Sequence, residues 1–228
     1  MPRMNASATP ALPHPFPGLQ LLHADADCVL VLKPAGLHSV PGLGADKQDS
    51  VLTRLQAHDP AIFAAHRLDR DTSGLLLFGR HRAALAELGR QFQARDVHKR
   101  YVALVAGVMP EDAGVIQLPM RYDPVNKPRQ TVDFESGKPA ETRWWVIRRH
   151  AGSTLVQLEP VTGRTHQLRL HLASIGHPIL GDALYADPAS LAAAPRLCLH
   201  AAELTFAQPS SGRELAFTAP EEFSQHAF

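Results

Sequence analysis

Apolar residues in this chain occur in short runs that Gly, Pro, Asn or Asp soon interrupt, and no other feature constrains the fold as strongly. Such runs suit buried strands, whereas helical periodicity of about 3.6 residues is confined to a few segments. We predict helices at 51–57, 83–94 and 165–175, and strands at 19–23, 28–32, 75–78, 101–106, 141–148, 153–159, 197–206 and 214–217. Strands and helices do not alternate regularly, so we expect an α+β protein with a mixed, mainly antiparallel sheet and short helices.

Local signals indicate where two of these helices begin and end. Ser50 is a suitable N-cap for the first helix, and Thr165 is a suitable N-cap for the third. Gly176 follows the third helix at the C′ position, where a left-handed residue commonly ends a helix. The apolar residues predicted to share one face of that helix are Leu168, Leu172 and Ile175.

The chain has 228 residues, of which 45% are hydrophobic, and this suits one globular domain with a buried core. Residues 1–17 are rich in Pro and Ala and are expected to form a flexible arm before a single domain over 18–228. No run approaches the roughly 20 apolar residues that span a bilayer, and no secretory signal is recognisable. Cys28 and Cys198 form neither a disulfide framework nor a zinc pattern. We therefore expect a cytoplasmic protein.

Sequence patterns of common cofactor and metal sites are missing. The chain has no Walker-type phosphate loop, and the Gly-Leu-Gly at 42–44 lacks the rest of a dinucleotide-binding motif. The 13 histidines are dispersed, and the five-residue spacing of His166 and His171 does not place two ligands on one helix face. We therefore expect no metal ion.

Charge is distributed unevenly along the chain, although the formal net charge is only +1. Residues 66–101 hold eight Lys or Arg and four Asp or Glu, a local excess of +4, whereas 202–228 hold one and four, a local excess of −3. A basic middle and an acidic end suit a protein that binds a polyanion on one face. Chance clustering of solvated charges explains the counts equally well.

The densest polar segment, HRLDRDTSG at 66–74, directly precedes a predicted core strand. Its side chains must therefore be solvated, paired or catalytic. Asp69 lies between Arg67 and Arg70, and a carboxylate near guanidinium groups stays ionised, as a nucleophile or general base must be. Taken alone, the segment is explained more simply by a surface cluster of ion pairs.

Two further segments combine polar groups with a predicted core element. Residues 98–101 place basic residues beside Tyr101 at the start of a strand, where an ordinary cross-strand aromatic is the simpler interpretation. Residues 161–171 read VTGRTHQLRLH and place Arg169 at the edge of an apolar helix face. Such an Arg usually has a carboxylate partner, although it can also extend toward solvent or phosphate.

In this order, the three segments resemble the RluA family of RNA pseudouridine synthases. HRLDRDTSG resembles the family signature around its catalytic Asp, KRYVA at 99–103 its Tyr-bearing motif, and GRTHQLR at 163–169 its Arg-bearing motif. KPAGL at 33–37 and GDALY at 181–185 match further family elements, and the likeness runs from about residue 19 to residue 223. Strings similar to the dual-specificity members are SVPG at 39–42, NKPRQ at 126–130, SGKPA at 136–140 and APRL at 194–197. Like those members, the chain is expected to lack an N-terminal S4 domain.

The resemblance implies a role for each site residue. Asp69 would start breaking the bond between uracil and ribose, Tyr101 would stack on the base and help deprotonate C5, and Arg169 would pair with Asp69. Arg67 would enter the RNA stem when the target uridine flips out, and Leu168 would help line the apolar floor. Phosphate contacts are expected from Arg164, Lys99 and Arg129.

The implied reaction requires no cofactor, because the base never leaves the site and is only reattached through C5. Asp69 could attack C1′ or abstract the C2′ proton, and the sequence leaves both routes open. The implied partners are RNA stem-loops, in 23S rRNA and in a tRNA anticodon loop, rather than DNA or a membrane. A monomer is the default expectation.

Two alternative functions remain open at this point. Asp69 and Asp71 could be the carboxylate pair of a glycoside hydrolase, but Arg67 and Arg70 would keep both ionised where one must be a protonated acid. We expect Asp71 to be exposed to solvent instead. The basic middle also suits a non-catalytic RNA-binding or RNA-folding protein of the same fold. Release of free uracil or sugar would support the hydrolase. Asp69→Asn separates the synthase from the binding protein, since it should abolish isomerisation and leave RNA binding intact.

Overall fold

The computed structural model describes residues 18–223, so the arm expected at residues 1–17 lies outside the described residues. The strands are β1 (Gln20–Ala24), β2 (Cys28–Lys33), β3 (Phe63–Ala64), β4 (Ser73–Gly79), β5 (His98–Ala106), β6 (Ala113–Gln117), β7 (Met120–Tyr122), β8 (Gln130–Val132), β9 (Glu141–Arg149), β10 (Ser153–Pro160), β11 (Leu199–Ala207) and β12 (Glu214–Thr218). The helices are α1 (Val51–Gln56), α2 (Arg82–Ala94), α3 (Gln167–Ser174) and α4 (Pro188–Ala192), with a 3₁₀ turn at Ala45–Lys47.

Ten of these strands form one sheet, in the order β1-β2-β4-β11-β5-β10-β9-β6, with β3 beside β4 and β12 beside β11. Strands β7 and β8 form a separate two-stranded sheet. Strand β11 runs parallel to β4, and the other pairings are antiparallel. The predicted α+β class with a mixed, mainly antiparallel sheet is therefore confirmed.

Strand β4 is buried along its whole length and contributes side chains to two hydrophobic clusters, one on each face. Leu76 and Phe78 pack on the side of α1, whereas Leu75 and Leu77 pack on the side of α2. Each such side chain contributes about 1.5–3 kcal/mol when it is removed from water. The polar loop that carries Asp69 is therefore joined directly to a rigid strand.

Most of the predicted elements are present. The expected hairpins are β1–β2 and β9–β10, both antiparallel. Helix α1 begins with a capping box in which the Ser50 hydroxyl accepts the N–H of Thr53 at 3.1 Å and the N–H of Ser50 donates to Thr53 Oγ1 at 2.9 Å. Cys28 and Cys198 are free, buried thiols.

The predicted start of the third helix is wrong. Helix α3 begins at Gln167, and its N-cap is His166 in the left-handed region, with no side-chain cap from Thr165. The Gln167 side chain instead accepts the Thr162 hydroxyl at 2.7 Å and the N–H of Arg164 at 3.0 Å, which fixes a tight turn before the helix. The whole stretch 167–172 is buried, polar residues included, so a single apolar face was too simple a description.

The predicted end of α3 is correct at Gly176, but the predicted burial of Ile175 is not. Gly176 follows the helix with φ of +84°, as its C′ position predicts. Ile175 is 37% exposed, whereas Leu168 and Leu172 are buried. The helix therefore does not bury all three apolar residues of the predicted face.

Several short elements are missing from the sequence prediction, namely β3, β6, β7, β8 and α4. The strands among them have five residues or fewer and carry no long apolar run. Helix α4 had a recognisable start, because Asp187 accepts the N–H groups of Ala189 and Ser190 and Pro188 occupies the first turn. No helix within residues 18–223 is long and apolar enough to cross a membrane.

Candidate active site

A pocket of about 710 Å³ opens where the loop before β4, the start of β5 and the start of α3 meet. Of the residues singled out from the sequence, those that line it are Arg67, Asp69, Lys99, Tyr101, Arg164, Leu168 and Arg169. Arg129 is exposed in the loop between β7 and β8 and does not line the pocket. The fold thus brings together side chains from three segments that are far apart in the sequence.

The backbone on both sides of Asp69 is held by buried polar groups. On one side, the Ser39 hydroxyl donates to the carbonyl of Leu68 at 2.8 Å and accepts its N–H at 2.9 Å. On the other side, Lys33 Nζ donates to the carbonyl of Arg70 at 2.8 Å. These contacts fix the main chain from which the Asp69 side chain extends into the pocket.

Lys33 is the residue that sequence reasoning passed over in this loop. Its side chain is fully buried, and its ammonium group also donates to the carbonyls of Pro34 and Leu37 at 2.9 and 2.7 Å. Burial lowers the pKa of Lys33 to about 8, and the nearby carboxylates of Asp71 and Asp69 oppose that shift. The KPAGL string was noted as a motif, but only the fold reveals that its Lys supports the Asp69 loop.

Arg169 is fixed from behind by a second carboxylate. Its Nε and Nη2 donate to Oδ2 and Oδ1 of Asp182 at 2.8 and 2.6 Å, a bidentate pair in which Asp182 is fully buried. Nη1 of Arg169 then lies 3.4 Å from Oδ2 of Asp69. Burial alone would lower the pKa of Arg169, but the bonds and charge of Asp182, with Asp69, raise it. The guanidinium therefore stays charged and is aimed at Asp69.

Asp182 was not recognised from the sequence as a site residue. The GDALY string at 181–185 was noted, yet nothing in it indicates a partner thirteen residues upstream. Asp182 Oδ1 also accepts the N–H groups of Leu184 and Tyr185 at 2.8 and 3.2 Å. The carboxylate that Arg169 needed is therefore mainly Asp182, with Asp69 as the weaker and more exposed partner.

Tyr101 forms one wall of the pocket. It lies on β5 opposite Leu158 of β10 and Ala201 of β11, and its ring packs against the hydrophobic core on both sides. Burial raises the pKa of Tyr101, and the charge of Asp69 raises it further. The phenol therefore stays protonated at neutral pH. Leu168, which is buried, supplies an apolar surface in the same pocket.

His166 and Tyr185 are a second pair that the sequence analysis did not assign to the site. His166 Nδ1 lies 2.9 Å from the Tyr185 hydroxyl, and its Nε2 lies 4.0 Å from Oδ2 of Asp69. The Tyr185 hydroxyl accepts the N–H of Gln130 at 2.7 Å. Burial lowers the pKa of His166, and the nearby Asp69 opposes this. His166 had been considered only as a metal ligand.

The rim of the pocket is basic and accessible. Arg67 is exposed and makes no hydrogen bond or ion pair with the other described residues. Arg164 is also exposed, while Lys99 lies with Nζ 5.8 Å from the ring centre of Phe92, and burial lowers its pKa. Positively charged groups on the rim of an open pocket suit a polyanionic ligand.

Asp71 does not join the pocket. Its side chain is 48% exposed and lies 3.8 Å from Nε of Arg70. The two carboxylates of the glycoside hydrolase alternative are therefore not brought to one site.

Three possible metal ligands, His23, Asp25 and Cys28, lie within 4.8 Å of one another, away from the pocket. The Asp25 carboxylate already accepts the N–H groups of Asp27 and Cys28 and bonds from His23 and Gln208. Burial raises the pKa of the Cys28 thiol to about 12. This arrangement is a hydrogen-bonded turn rather than a ligand set.

Comparison with known proteins gives a consistent result. Residues 27–174 match the family model of RNA pseudouridylate synthases. The chain is 47% identical over 208 residues to the dual-specificity RNA pseudouridine synthase RluA of Pasteurella multocida, covering 91% of this chain and 95% of that protein. The RluA protein of Escherichia coli K12 is 46% identical with the same coverage.

Two solved human structures have the same fold. Human RNA pseudouridylate synthase domain containing 1 superposes with a TM-score of 0.78 and 26% identity, over 93% of this chain and 87% of that one. Human RNA pseudouridylate synthase domain containing 4 gives a TM-score of 0.71 and 26% identity, over 91% of each chain.

Proposed function

Because the chain belongs to the family of RNA pseudouridylate synthases, we propose that it isomerises specific uridines of structured RNA to pseudouridine, with Asp69 as the catalytic carboxylate. The observation that carries this proposal is the placement of Asp69 in an open basic pocket, 3.4 Å from an Arg169 that Asp182 holds in place. A charged group held in this way can act on a substrate without reorganising during the reaction.

The reaction begins with extraction of the target base. Flipping a uridine out of its stack costs a few kcal/mol, and less in a loop or a distorted stem. Arg67 is exposed at the rim and has no hydrogen-bond or ion-pair partner within residues 18–223, so its guanidinium is available to fill the space that the base leaves. Tyr101 is partly buried and lines the pocket, so it offers an aromatic surface on which the extracted base stacks.

Asp69 then breaks the bond between N1 of uracil and C1′ of the ribose. It does so by attacking C1′, which forms an ester that breaks when C5 of the turned uracil bonds to C1′, or by removing the C2′ proton, which returns to C2′ when C5 bonds to C1′. C5 then loses its proton and N1 of the base gains one, so the product is an isomer of the substrate and no other reactant is consumed. We propose that Tyr101 stacks on the base and helps to remove the C5 proton, because it lines the pocket beside Asp69.

The surroundings of Asp69 favour rearrangement over hydrolysis. Leu168 and Tyr101 present apolar surface beside the carboxylate, and a bound base covers them. Excluding water prevents release of free uracil, because water would otherwise compete for C1′. Arg164 and Lys99 on the rim are proposed to contact phosphates, which position the RNA without reading its sequence. Arg129 is a proposed contact farther out, on the β7–β8 loop.

The substrates proposed for this chain are a hairpin loop of 23S rRNA and the anticodon loop of a tRNA. Support comes from relatives that are about 46% identical over most of their length and are named dual-specificity enzymes. An enzyme of this kind would act as a monomer in the cytoplasm, where both RNAs are matured.

The proposal is tested by mapping pseudouridine in total RNA from cells that lack the gene. Carbodiimide modification followed by primer extension locates each site. We expect sites in the 23S rRNA loop and the tRNA anticodon loop to vanish, and to return with the wild-type protein but not with Asp69→Asn. Sites in other RNAs would keep the enzyme class and replace the substrates. Unchanged RNA would favour the non-catalytic RNA-binding function.

A further inference from the structure

His166 holds a left-handed backbone conformation, which is uncommon for residues other than glycine. Its φ and ψ are +56° and +17°, in the left-handed region, although it begins a helix. Most residues other than glycine avoid this region, and those that remain in it cluster at functional sites. Gly, Asn or Asp would meet the backbone requirement more easily, so the identity of the side chain calls for a separate explanation.

The hydrogen bonds around Tyr185 indicate which nitrogen of His166 carries the proton. The Tyr185 hydroxyl accepts the N–H of Gln130 at 2.7 Å and has one proton to donate. His166 Nδ1, at 2.9 Å, is in place to accept that proton. A neutral imidazole that accepts at Nδ1 carries its own proton on Nε2. The reverse tautomer would turn the Nε2 lone pair toward the carboxylate of Asp69, which is unfavourable.

Nε2 of His166 and Nη1 of Arg169 approach the same oxygen of Asp69. Their distances to Oδ2 are 4.0 and 3.4 Å. Within residues 18–223, no hydrogen bond or ion pair reaches Oδ1 of Asp69. Each donor is fixed by its own partner, Tyr185 for His166 and Asp182 for Arg169. Arg169 therefore bonds to Oδ2, His166 Nε2 lies just beyond hydrogen-bond distance of the same oxygen, and Oδ1 faces away from both donors.

We propose that His166 is a positioning residue that acts through Asp69: its Nε2–H, oriented by the hydroxyl of Tyr185, closes from 4.0 Å onto Oδ2 when RNA binds, so that Oδ1 faces the reacting ribose. The proposal rests on the function proposed above for Asp69. It adds a residue pair, His166 and Tyr185, to the machinery of the pocket.

A neutral His166 suits this role, because Arg169 already places one cation beside Asp69 and a second cation would withdraw further charge from the carboxylate. Burial lowers the pKa of His166, which keeps the ring neutral at neutral pH. The charged and titratable groups that face it are Asp69, Arg67, Arg169, Asp182 and Tyr185. The two carboxylates raise its pKa and the two arginines lower it, so the charges around it partly cancel.

Two substitutions separate the contact with Asp69 from the contact with Tyr185. In His166→Asn the amide nitrogen or oxygen sits where Nδ1 was, so the bond to Tyr185 and the left-handed backbone are kept. The shorter side chain no longer reaches Asp69, which keeps its contact with Arg169. In His166→Gln the longer amide can place a donor near the former Nε2. Thr165→Ala is the matched control, because Thr165 is exposed on the same turn and does not line the pocket.

The measurement is the single-turnover rate of pseudouridine formation on a stem-loop RNA transcript, with the RNA dissociation constant measured separately. We expect His166→Asn to lower the rate about ten- to hundredfold, because misplacing a reacting group by about 1 Å has an effect of that size. RNA affinity and the unfolding midpoint should remain near wild type, His166→Gln should recover part of the rate, and Thr165→Ala should match wild type. A wild-type rate in a folded His166→Asn overturns the proposal.

The pH dependence of the reaction rate distinguishes this role from a purely structural one, because a structural role of His166 and Tyr185 would not shift it. Tyr185→Phe removes the proton donor to Nδ1, so the pKa of His166 should rise and the acid limb of the rate profile should move to higher pH. A Tyr185→Phe profile that coincides with wild type contradicts the proposed orientation. If the wild-type protein forms no pseudouridine, the proposed function itself is refuted. If the wild type is active, Asp69→Asn is inactive and His166→Asn is as active as wild type, only this inference is refuted.

Discussion

Removal of the negative charge from Asp182 tests how the pocket keeps a buried guanidinium in place. The substitution Asp182→Asn keeps the size of the side chain and one acceptor oxygen, but it turns an amide toward Arg169 and leaves that cation without its principal counterion. Arg169 and Asp182 are only 4% and 0% exposed, so water cannot replace the lost partner.

The expected loss of stability follows from that burial. Breaking a buried, hydrogen-bonded ion pair from one side costs about 3–5 kcal/mol. Asp69, at 3.4 Å from Arg169, remains as a partial counterion, which places the expected loss near the lower end, about 3 kcal/mol. Arg169 should then shift toward Asp69, so the rate of pseudouridine formation should fall even where the protein stays folded.

Urea unfolding followed by tryptophan fluorescence measures the change, since Trp144 is buried in the core. The matched control is Glu203→Gln, which removes the carboxylate of the pair between Arg100 and Glu203, where the side chains are 49% and 42% exposed. Exposed pairs contribute about 0–1 kcal/mol, so the control should unfold almost as the wild type does. A loss below about 1 kcal/mol for Asp182→Asn would refute the reasoning that the Arg169–Asp182 pair is what holds the guanidinium.

Three further substitutions test the frame around the site. Gly74→Ala should lower the free energy of unfolding in urea by about 2–4 kcal/mol, because φ of Gly74 is +120° and the new Cβ would clash with the backbone of Ala201. Wild-type stability of this variant would contradict the reasoning. Lys33→Met should cost about 1–3 kcal/mol, since it leaves three backbone carbonyls without their donor, and it should slow the reaction by freeing the loop; equal stability and rate would contradict this. His66 accepts the N–H of Leu77, and burial lowers its pKa to about 3, so the unfolded state takes up a proton first and stability should fall by about 1.4 kcal/mol per pH unit below about 6.5. His66→Gln should reduce that slope between pH 6 and pH 4, and an unchanged slope would assign the acid sensitivity to other groups.

Elements with strong local signals could be predicted from the sequence. Strand β4 has four consecutive large apolar residues, and α1 has a serine N-cap, so chain chemistry alone determines both. The start of α3 could not be predicted in this way, because it depends on Gln167, whose side chain bonds backward to Thr162 and Arg164. A tertiary arrangement there overrode the local capping signal of Thr165.

The site was predictable only as a set of motifs. The segments with Asp69, Tyr101 and Arg169 are dense in polar residues beside core elements, and the fold brings all three to one pocket. The supporting residues are different, because a buried Lys33 or Asp182 carries no sequence signal for its distant partner. Their importance lies in pairings that exist only in the folded chain.

The central claim is that the Asp69 carboxylate performs the chemistry while other groups bind the RNA. Its most direct test compares wild type and Asp69→Asn in single-turnover pseudouridine formation and in equilibrium binding to the same stem-loop RNA. We predict that Asp69→Asn binds the RNA about as tightly as wild type, remains folded, and forms no pseudouridine. Pseudouridine formation by Asp69→Asn at the wild-type rate would contradict the claim and would move the catalytic role away from this carboxylate.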